Sequence, residues 1–134
     1  MVLRLRPGAD RKEKQAVVEE WYREQVKQTL PPLIAKWEPH MGVRVDRFFV
    51  RRMKTRWGSC NPRAHSIRLN TELAKKPLEL LEYIVVHEMA HLIVRHHNAR
   101  FGNLMDKCLP NWKLLRRALN DAPIAHTAWE CRTE

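Results

Sequence analysis

The stretch Leu78–Val94, LELLEYIVVHEMAHLIV, decides the fold because it is apolar on nearly every side of a helix. A helix that is apolar all round lies inside a domain. Pro77 suits the first turn of such a helix, and the pattern predicts that the helix runs to about Arg95. Five polar residues interrupt the apolar surface: Glu79, Glu82, His87, Glu88 and His91.

Three of these polar residues form the pattern HExxH. His87 and His91 lie about 40° apart on one helix face, so both rings can reach one ion. Glu88 lies beside that face, where a carboxylate can act as general base toward water activated by a metal. About 0.03 matches of this kind are expected by chance in a chain of this composition. Because burying the three groups unpaired would be costly, the pattern indicates a metal site rather than an accidental match among surface histidines.

A third ligand is expected soon after the helix. His97 follows His87 by ten residues, and in an unbroken helix it would lie about 280° round the axis, so the helix must end before it. Asn98 can cap a helix over Ala99–Cys108, which makes Arg95–His97 the corner.

The turn that leads to this corner lacks an expected glycine. The spacing matches the metzincin pattern HExxHxxGxxH, except that Val94 occupies the glycine position. The chain must therefore turn in another way. On spacing alone, either His96 or His97 can present its ring to the ion.

The sequence before this helix predicts further elements. Residues 2–6 alternate like a strand, and Asp10 begins a capping box for an amphipathic helix. Pro31 and Pro32 are expected to end or kink that helix, and a shorter helix then closes near Gly42.

The middle of the chain is β-rich in pattern. β-Branched and aromatic residues predict two strands, over residues 43–53 and 66–73. The connection over residues 54–62 contains Gly, Asn and Pro, which are typical of turns, so the two strands are expected to form a hairpin. Short helices are predicted at Phe101–Cys108 and Trp112–Leu119, on either side of Pro110.

Length and composition limit the class of protein. A chain of 134 residues fits one domain, here residues 1–134. Its three cysteines are an odd set without CxxC spacing, which favours reduced thiols over disulfides. No apolar run approaches the roughly 20 residues that span a bilayer, and the first residues do not form a signal peptide. We expect a cytoplasmic protein that does not enter a membrane.

The charge suggests a second class of function, a nucleic-acid-associated module. The net charge is +10, which favours nucleic acid or other anionic partners. Because neighbours on a strand face opposite ways, these basic residues cannot all form one patch, and charges that guard a strand edge are the alternative. The basic residues concerned lie in and around the predicted hairpin: Arg44, Arg47, Arg51, Arg52, Lys54, Arg56, Arg63 and Arg68.

Several motifs together resemble the YgjP-like metallopeptidase domain, a relative of SprT-like zinc proteases. The resemblance covers roughly residues 2–130 and is carried by Arg56-Trp57-Gly58-Ser59-Cys60, Ile67-Arg68-Leu69-Asn70, the segment Tyr83 to Leu92, His97 and Phe101. It implies a zinc-dependent peptidase of α+β, zincin-like architecture, in which a small sheet flanks the HExxH helix. Members of the family usually carry an additional N-terminal β-rich part, and we expect that part to be missing here.

The resemblance also implies roles for individual residues. It makes His87, His91 and His97 the zinc ligands, in preference to His96, and makes Glu88 the general base. The substrate it implies is a peptide bond. SprT-like relatives include proteases that act on DNA-bound proteins, so the basic region could recruit such a substrate.

Other candidates have structural alternatives. Tyr83 lies one turn before His87 and could stabilise an oxyanion, or it could simply belong to the core. The segment Trp57–Cys60 could line the cleft, or it could be a turn anchored by a buried tryptophan. Cys60 has no local partner that would make it a nucleophile, so it is expected to be inert. The metal could also be purely structural, and nickel or cobalt could replace zinc.

Overall fold

The computed structural model describes residues 11–121. The predicted strand over residues 2–6 and the capping residue Asp10 lie outside the described residues. Helices and a small sheet together form the expected α+β architecture. The elements in chain order are α1 (Arg11–Met41), β1 (Arg47–Arg51), β2 (Gly58–Asn61), β3 (Ser66–Asn70), a 3₁₀-helix (Thr71–Lys75), α2 (Leu78–Ala90), α3 (Ala99–Cys108) and α4 (Trp112–Asn120).

Helix α1 is longer than the sequence predicts. It continues through Pro31 and Pro32, so a helix end at these prolines, with a separate shorter helix after them, is wrong, although the end near Gly42 is confirmed. Gly42 has φ +69° there, and its N–H donates to the carbonyl of Glu38. A proline inside a helix removes a hydrogen bond, but one buried stripe runs along both halves of α1 and stabilises the continuous helix. That stripe consists of Val26, Leu30, Ile34 and Trp37.

The sheet contains a strand that the sequence did not predict. Its order is β1-β3-β2, in which β1 pairs parallel with β3 and β2 pairs antiparallel with it. The predicted hairpin between the strands now labelled β1 and β3 is therefore wrong, because these two strands are parallel. Strand β2 lies in the segment that was predicted to be their turn. Strand β2 has weak β propensity and forms where β3 and α2 bury it. The true hairpin joins β2 to β3, and Asn61 Oδ1 accepts two backbone N–H groups in its turn.

Helix α2 lies at the centre of the described residues, as predicted. Every residue from Leu80 to Ala90 is buried except Glu82. The helix contacts the other helices α1, α3 and α4 and the strands β2 and β3. It ends at Ala90, earlier than predicted, while α3 and α4 begin and end within two residues of their predicted bounds. None of the described helices is long and apolar enough to cross a membrane.

Candidate metal centre

Three imidazole rings converge at the C-terminal end of α2. The Nε2 atoms of His87 and His91 lie 3.3 Å apart. His97 Nε2 lies 2.9 Å from that of His91 and 3.4 Å from that of His87. Zinc–nitrogen bonds of about 2.0–2.1 Å in a tetrahedral site place ligand atoms about 3.3 Å apart. The three nitrogens therefore fit the ligand set of a zinc-sized ion.

Hydrogen bonds at the far side of two rings support this orientation. His91 Nδ1 lies 3.1 Å from the carbonyl oxygen of Val94, which can only accept, so Nδ1 carries the proton. The Nε2 atom of His91 then presents its lone pair to the cluster. His87 Nδ1 lies 3.4 Å from the Tyr83 hydroxyl, which contacts the ring from one turn earlier. Such partners orient the ligands of metal sites.

The surroundings of the rings favour their neutral form. Burial lowers the pKa of His87 well below its ordinary value, and the nearby charges of His91, His97 and Arg116 lower it further. Burial and the charge of His97 lower the pKa of His91 to about 4. Both rings are therefore neutral near pH 7, which is the form that binds a metal.

The chain turns toward His97 without a glycine. After Ala90, short backbone hydrogen bonds tighten the end of the helix, among them Ile93 N to Ala90 O at 3.0 Å and Val94 N to Ala90 O at 2.8 Å. Within residues 11–121 only His65 and Gly42 have positive φ, so the turn needs no left-handed residue. This explains how Val94 can stand at the glycine position of the metzincin pattern.

The start of α3 fixes the position of the third histidine. Asn98 is the N-cap, as predicted, and its Oδ1 accepts the N–H of Phe101 at 3.0 Å. His97 thereby lies directly before a rigid helix. The structure places His97 in the group of converging ring nitrogens, whereas the exposed His96 is not part of that group.

Phe101 has a packing role that sequence reasoning missed. Its buried ring stacks on His91, with centroids 4.5 Å apart and an interplanar angle of 19°. It also contacts the rings of His87 and His97 edge-on, each at 5.0 Å. One aromatic ring therefore packs against all three imidazoles and restricts their orientation. The capping pattern could have indicated this role, because it places Phe101, three residues after the N-cap Asn98, in the first turn of α3.

Glu88 lies against strand β2. It is fully buried, and a Cβ atom added to Gly58 would lie 3.0 Å from Glu88 Oε2 and 2.9 Å from Ile84 Cγ2. The same Cβ would lie 3.1 Å from the backbone oxygen of Arg68. Only glycine allows β2 to approach the carboxylate so closely. Trp57 before it is buried as well, so this segment both borders the site and is anchored by its tryptophan.

A solved structure of similar fold is described as a metallopeptidase zymogen. The crystal structure of the metallopeptidase zymogen abylysin of Pyrococcus abyssi matches with a TM-score of 0.60 and 21% identity, over 65% of this chain and 88% of that chain. The zymogen of Methanocaldococcus jannaschii jannalysin matches with a TM-score of 0.48 and 19% identity, over 70% of this chain and 97% of that one. The first of these likenesses supports the zincin-like fold. No curated protein matches the sequence.

The family is settled by a direct sequence match. The family model described as YgjP-like, metallopeptidase domain, matches residues 2–122. This range includes the whole histidine cluster, Glu88 and the three strands. The expected family and the expected α+β fold are both confirmed: this chain belongs to the YgjP-like metallopeptidase family.

Proposed function

We propose that the protein is a zinc-dependent peptidase in which His87, His91 and His97 hold the ion and Glu88 is the general base. The observation that carries this proposal is the convergence of three ring nitrogens at 2.9–3.4 Å. Nitrogen ligands in tetrahedral geometry suit zinc. Nickel and cobalt bind similar donors, so metal analysis is needed to distinguish them.

The number of ligands favours a catalytic over a structural ion. Within residues 11–121, the cluster contains three ligand residues, all of them histidine. Structural zinc sites close the tetrahedron with a fourth protein ligand, whereas catalytic sites keep that position open. Glu88, the residue after the ligand His87 in the HExxH pattern, also supports catalysis.

The chain's own residues would provide proton transfer and orientation. Zinc bound by three histidines supplies a Lewis acid that polarises a carbonyl and makes water nucleophilic near neutral pH. Glu88 would accept the proton of the attacking water and deliver it to the departing amine. Because Gly58 has no side chain, β2 can lie close to the Glu88 carboxylate without displacing it. Tyr83 and Phe101 would keep the histidine rings in position.

The substrate class follows from the family. Members are metallopeptidases, so the scissile bond is proposed to be a peptide bond in a peptide or protein. The two similar solved structures are also metallopeptidases by description.

Replacing Glu88 by glutamine tests the proposal most directly. E88Q should keep one bound zinc per chain but hydrolyse casein at least about 100-fold more slowly, because the base is lost and the ligands remain. Metal content and casein hydrolysis are measured on the same preparations. The matched control is E82Q, which changes the other inward glutamate of α2 away from the cluster and should retain activity. Full activity of E88Q, or purified protein that binds no zinc, would contradict the mechanism.

A further inference from the structure

Helix α4 carries an arginine on the face that it turns toward the core. Trp112 and Leu119 of this helix are buried. At about 100° per residue, Arg116 lies about 40° from Trp112 and about 60° from Leu119 round the helix axis, so it shares their face. Arg117 lies about 140° from Trp112, well away from that face. Because α4 packs against α2, Arg116 is directed toward the helix that carries His87 and His91.

A tryptophan orients the Arg116 guanidinium. Its central carbon lies 5.2 Å from the centre of the Trp112 ring. Trp112 is itself fixed, because its Nε1 donates to Asp106 Oδ1 of α3 at 2.7 Å. A contact with the face of a ring uses none of the five N–H groups of a guanidinium. Since Arg116 is exposed, these groups can donate to a ligand.

The charge of Arg116 reaches the histidine cluster. Burial is the largest cause that lowers the pKa of His87, and the positive charges of His91, His97 and Arg116 lower it further. No hydrogen bond in the described part of the chain joins Arg116 to these rings, so its charge acts through space. The guanidinium therefore lies near the cluster without contacting it.

The local balance of charge favours an anionic group beside Arg116. The proposed zinc ion carries two positive charges, neutral imidazoles offset neither of them, and Glu88 offsets at most one. Arg116 adds a further positive charge, and α4 contains no acidic residue. Among residues 11–121, Arg116 forms no ion pair with a carboxylate. Because like charges at short distance repel, an anion that binds between Arg116 and the ion is attracted by both.

We propose that Arg116 selects substrates that carry a carboxylate close to the scissile peptide bond. This inference rests on the proposed peptidase function and names a feature of its substrates. The anionic groups of an unmodified peptide are carboxylates, either of Asp and Glu side chains or of the C-terminus. A guanidinium binds a carboxylate through two parallel hydrogen bonds, whereas a neutral backbone carbonyl is common to all peptides and gives no selection. Arg116 is therefore a specificity-determining residue.

Cleavage of a synthetic library of short random peptides tests this inference on the full, zinc-loaded chain. Mass spectrometry identifies the bonds that are cut. The wild type should prefer Asp or Glu at one position near the cut bond, or a bond near a free C-terminus, by about tenfold or more. An arm with amidated C-termini distinguishes these two sources of the carboxylate. R116Q should lose the preference and still cut neutral peptides, and R116E should favour Lys or Arg at the same position.

The matched control is R117Q, which removes an exposed arginine from another side of the same helix. It should keep the preference of the wild type. Circular dichroism and zinc content should be the same in R116Q and R117Q, which separates lost selection from lost folding. A preference that survives in R116Q would overturn the inference. An equal loss of cleavage for acidic and neutral peptides in R116Q would also overturn it, because Arg116 would then act on all substrates alike.

A binding measurement separates this inference from the proposed peptidase function. Peptide hydroxamates bind a zinc ion without being hydrolysed, and each pair used here differs only by Glu or Gln at one of the residues nearest the hydroxamate. In one pair, the wild type should bind the Glu compound at least about fivefold more tightly, whereas R116Q should bind both equally. Equal affinities of the wild type in every pair would overturn the inference. A preference for Glu in zinc-loaded protein that cuts no peptide would contradict the peptidase function and leave Arg116 as a carboxylate-binding residue.

Discussion

The two ends of helix α2 each carry an inward glutamate, and the two residues lie in different surroundings. Near the N-terminal end, Glu82 Oε2 accepts hydrogen bonds from Lys36 Nζ at 2.8 Å and from Trp37 Nε1 at 3.1 Å. Both donors come from α1, so this glutamate joins two helices. Near the C-terminal end, Glu88 is fully buried beside Gly58 and directly follows His87 in the chain.

The difference separates a polar group that joins two helices from one that we propose to be catalytic on the same helix. Glu82 remains partly exposed, and its hydrogen bonds come from residues that have no other role near the cluster. At the other end, the histidine nitrogens face one another at distances that suit an ion. Changes at the first end should therefore affect stability and leave chemistry intact, whereas changes at the second end should affect chemistry.

The strongest test of the functional end is removal of one ligand. H97A should lower zinc affinity by more than the roughly 10–100-fold that results from losing an outer-shell partner, because it removes a proposed direct contact. H96A should bind zinc like the wild type, since His96 is not part of the converging group. Competition with a chromogenic chelator measures both affinities.

The opposite result would change the ligand assignment. Retained affinity in H97A together with lost affinity in H96A would give the ligand role to His96. In that case the loop Leu92–Asn98 would have to rearrange on binding the ion. A loss in both variants would indicate that the corner as a whole, rather than one ring, determines affinity.

The second test concerns Gly58, where a substitution should affect both the stability of the fold and the rate of hydrolysis. G58A should destabilise the fold by about 1–3 kcal/mol, because a new methyl group would meet Ile84 and a backbone oxygen that cannot easily move. It should also slow hydrolysis at unchanged zinc content, since the Glu88 carboxylate must shift. Urea denaturation, metal analysis and casein hydrolysis measure the three quantities.

The chain offers a matched control for this substitution. Gly102 lies inside α3, and a Cβ atom there would meet nothing within 4 Å. G102A should therefore stabilise the protein by about 0.5–1 kcal/mol through helix propensity. If G58A is as stable and as active as G102A, the close approach of β2 to Glu88 does not restrict which residue can occupy position 58.

The sequence predicted the residues whose signals are local. The spacing of His87 and His91 and the apolar surface around them require only one helix, and the Asn98 cap requires only the first turn of α3. These features were confirmed. Their energetics depend on neighbours within four residues, so the local sequence pattern is enough to predict them.

The features that were missed depend on contacts between distant segments. Strand β2 forms because β3 and α2 bury it, and no residue in Gly58–Asn61 is β-branched. Helix α1 passes through Pro31 because its buried stripe, Val26, Leu30, Ile34 and Trp37, continues on both sides of that proline. Gly58 and Glu88 lie close together although they are 30 positions apart in the sequence. A local sequence pattern cannot predict a contact between residues so far apart.

The smallest expected effect lies at the structural end of α2, where E82Q should reduce stability at pH 7 by no more than about 1 kcal/mol, because Lys36 is largely exposed. Burial by itself raises the pKa of Glu82, but hydrogen bonds from Lys36 and Trp37 lower it below its ordinary 4.5. A lowered pKa in the folded state stabilises the protein above pH 4.5, and this stabilisation is lost as pH falls through the folded value. Urea denaturation should therefore show the difference between wild type and E82Q shrinking as pH is lowered from 5 through this range, and E82Q should be less costly in a K36Q background. A large loss of casein hydrolysis in well-folded E82Q would instead show that the two ends of α2 are coupled, and the division between a structural and a functional glutamate would fail.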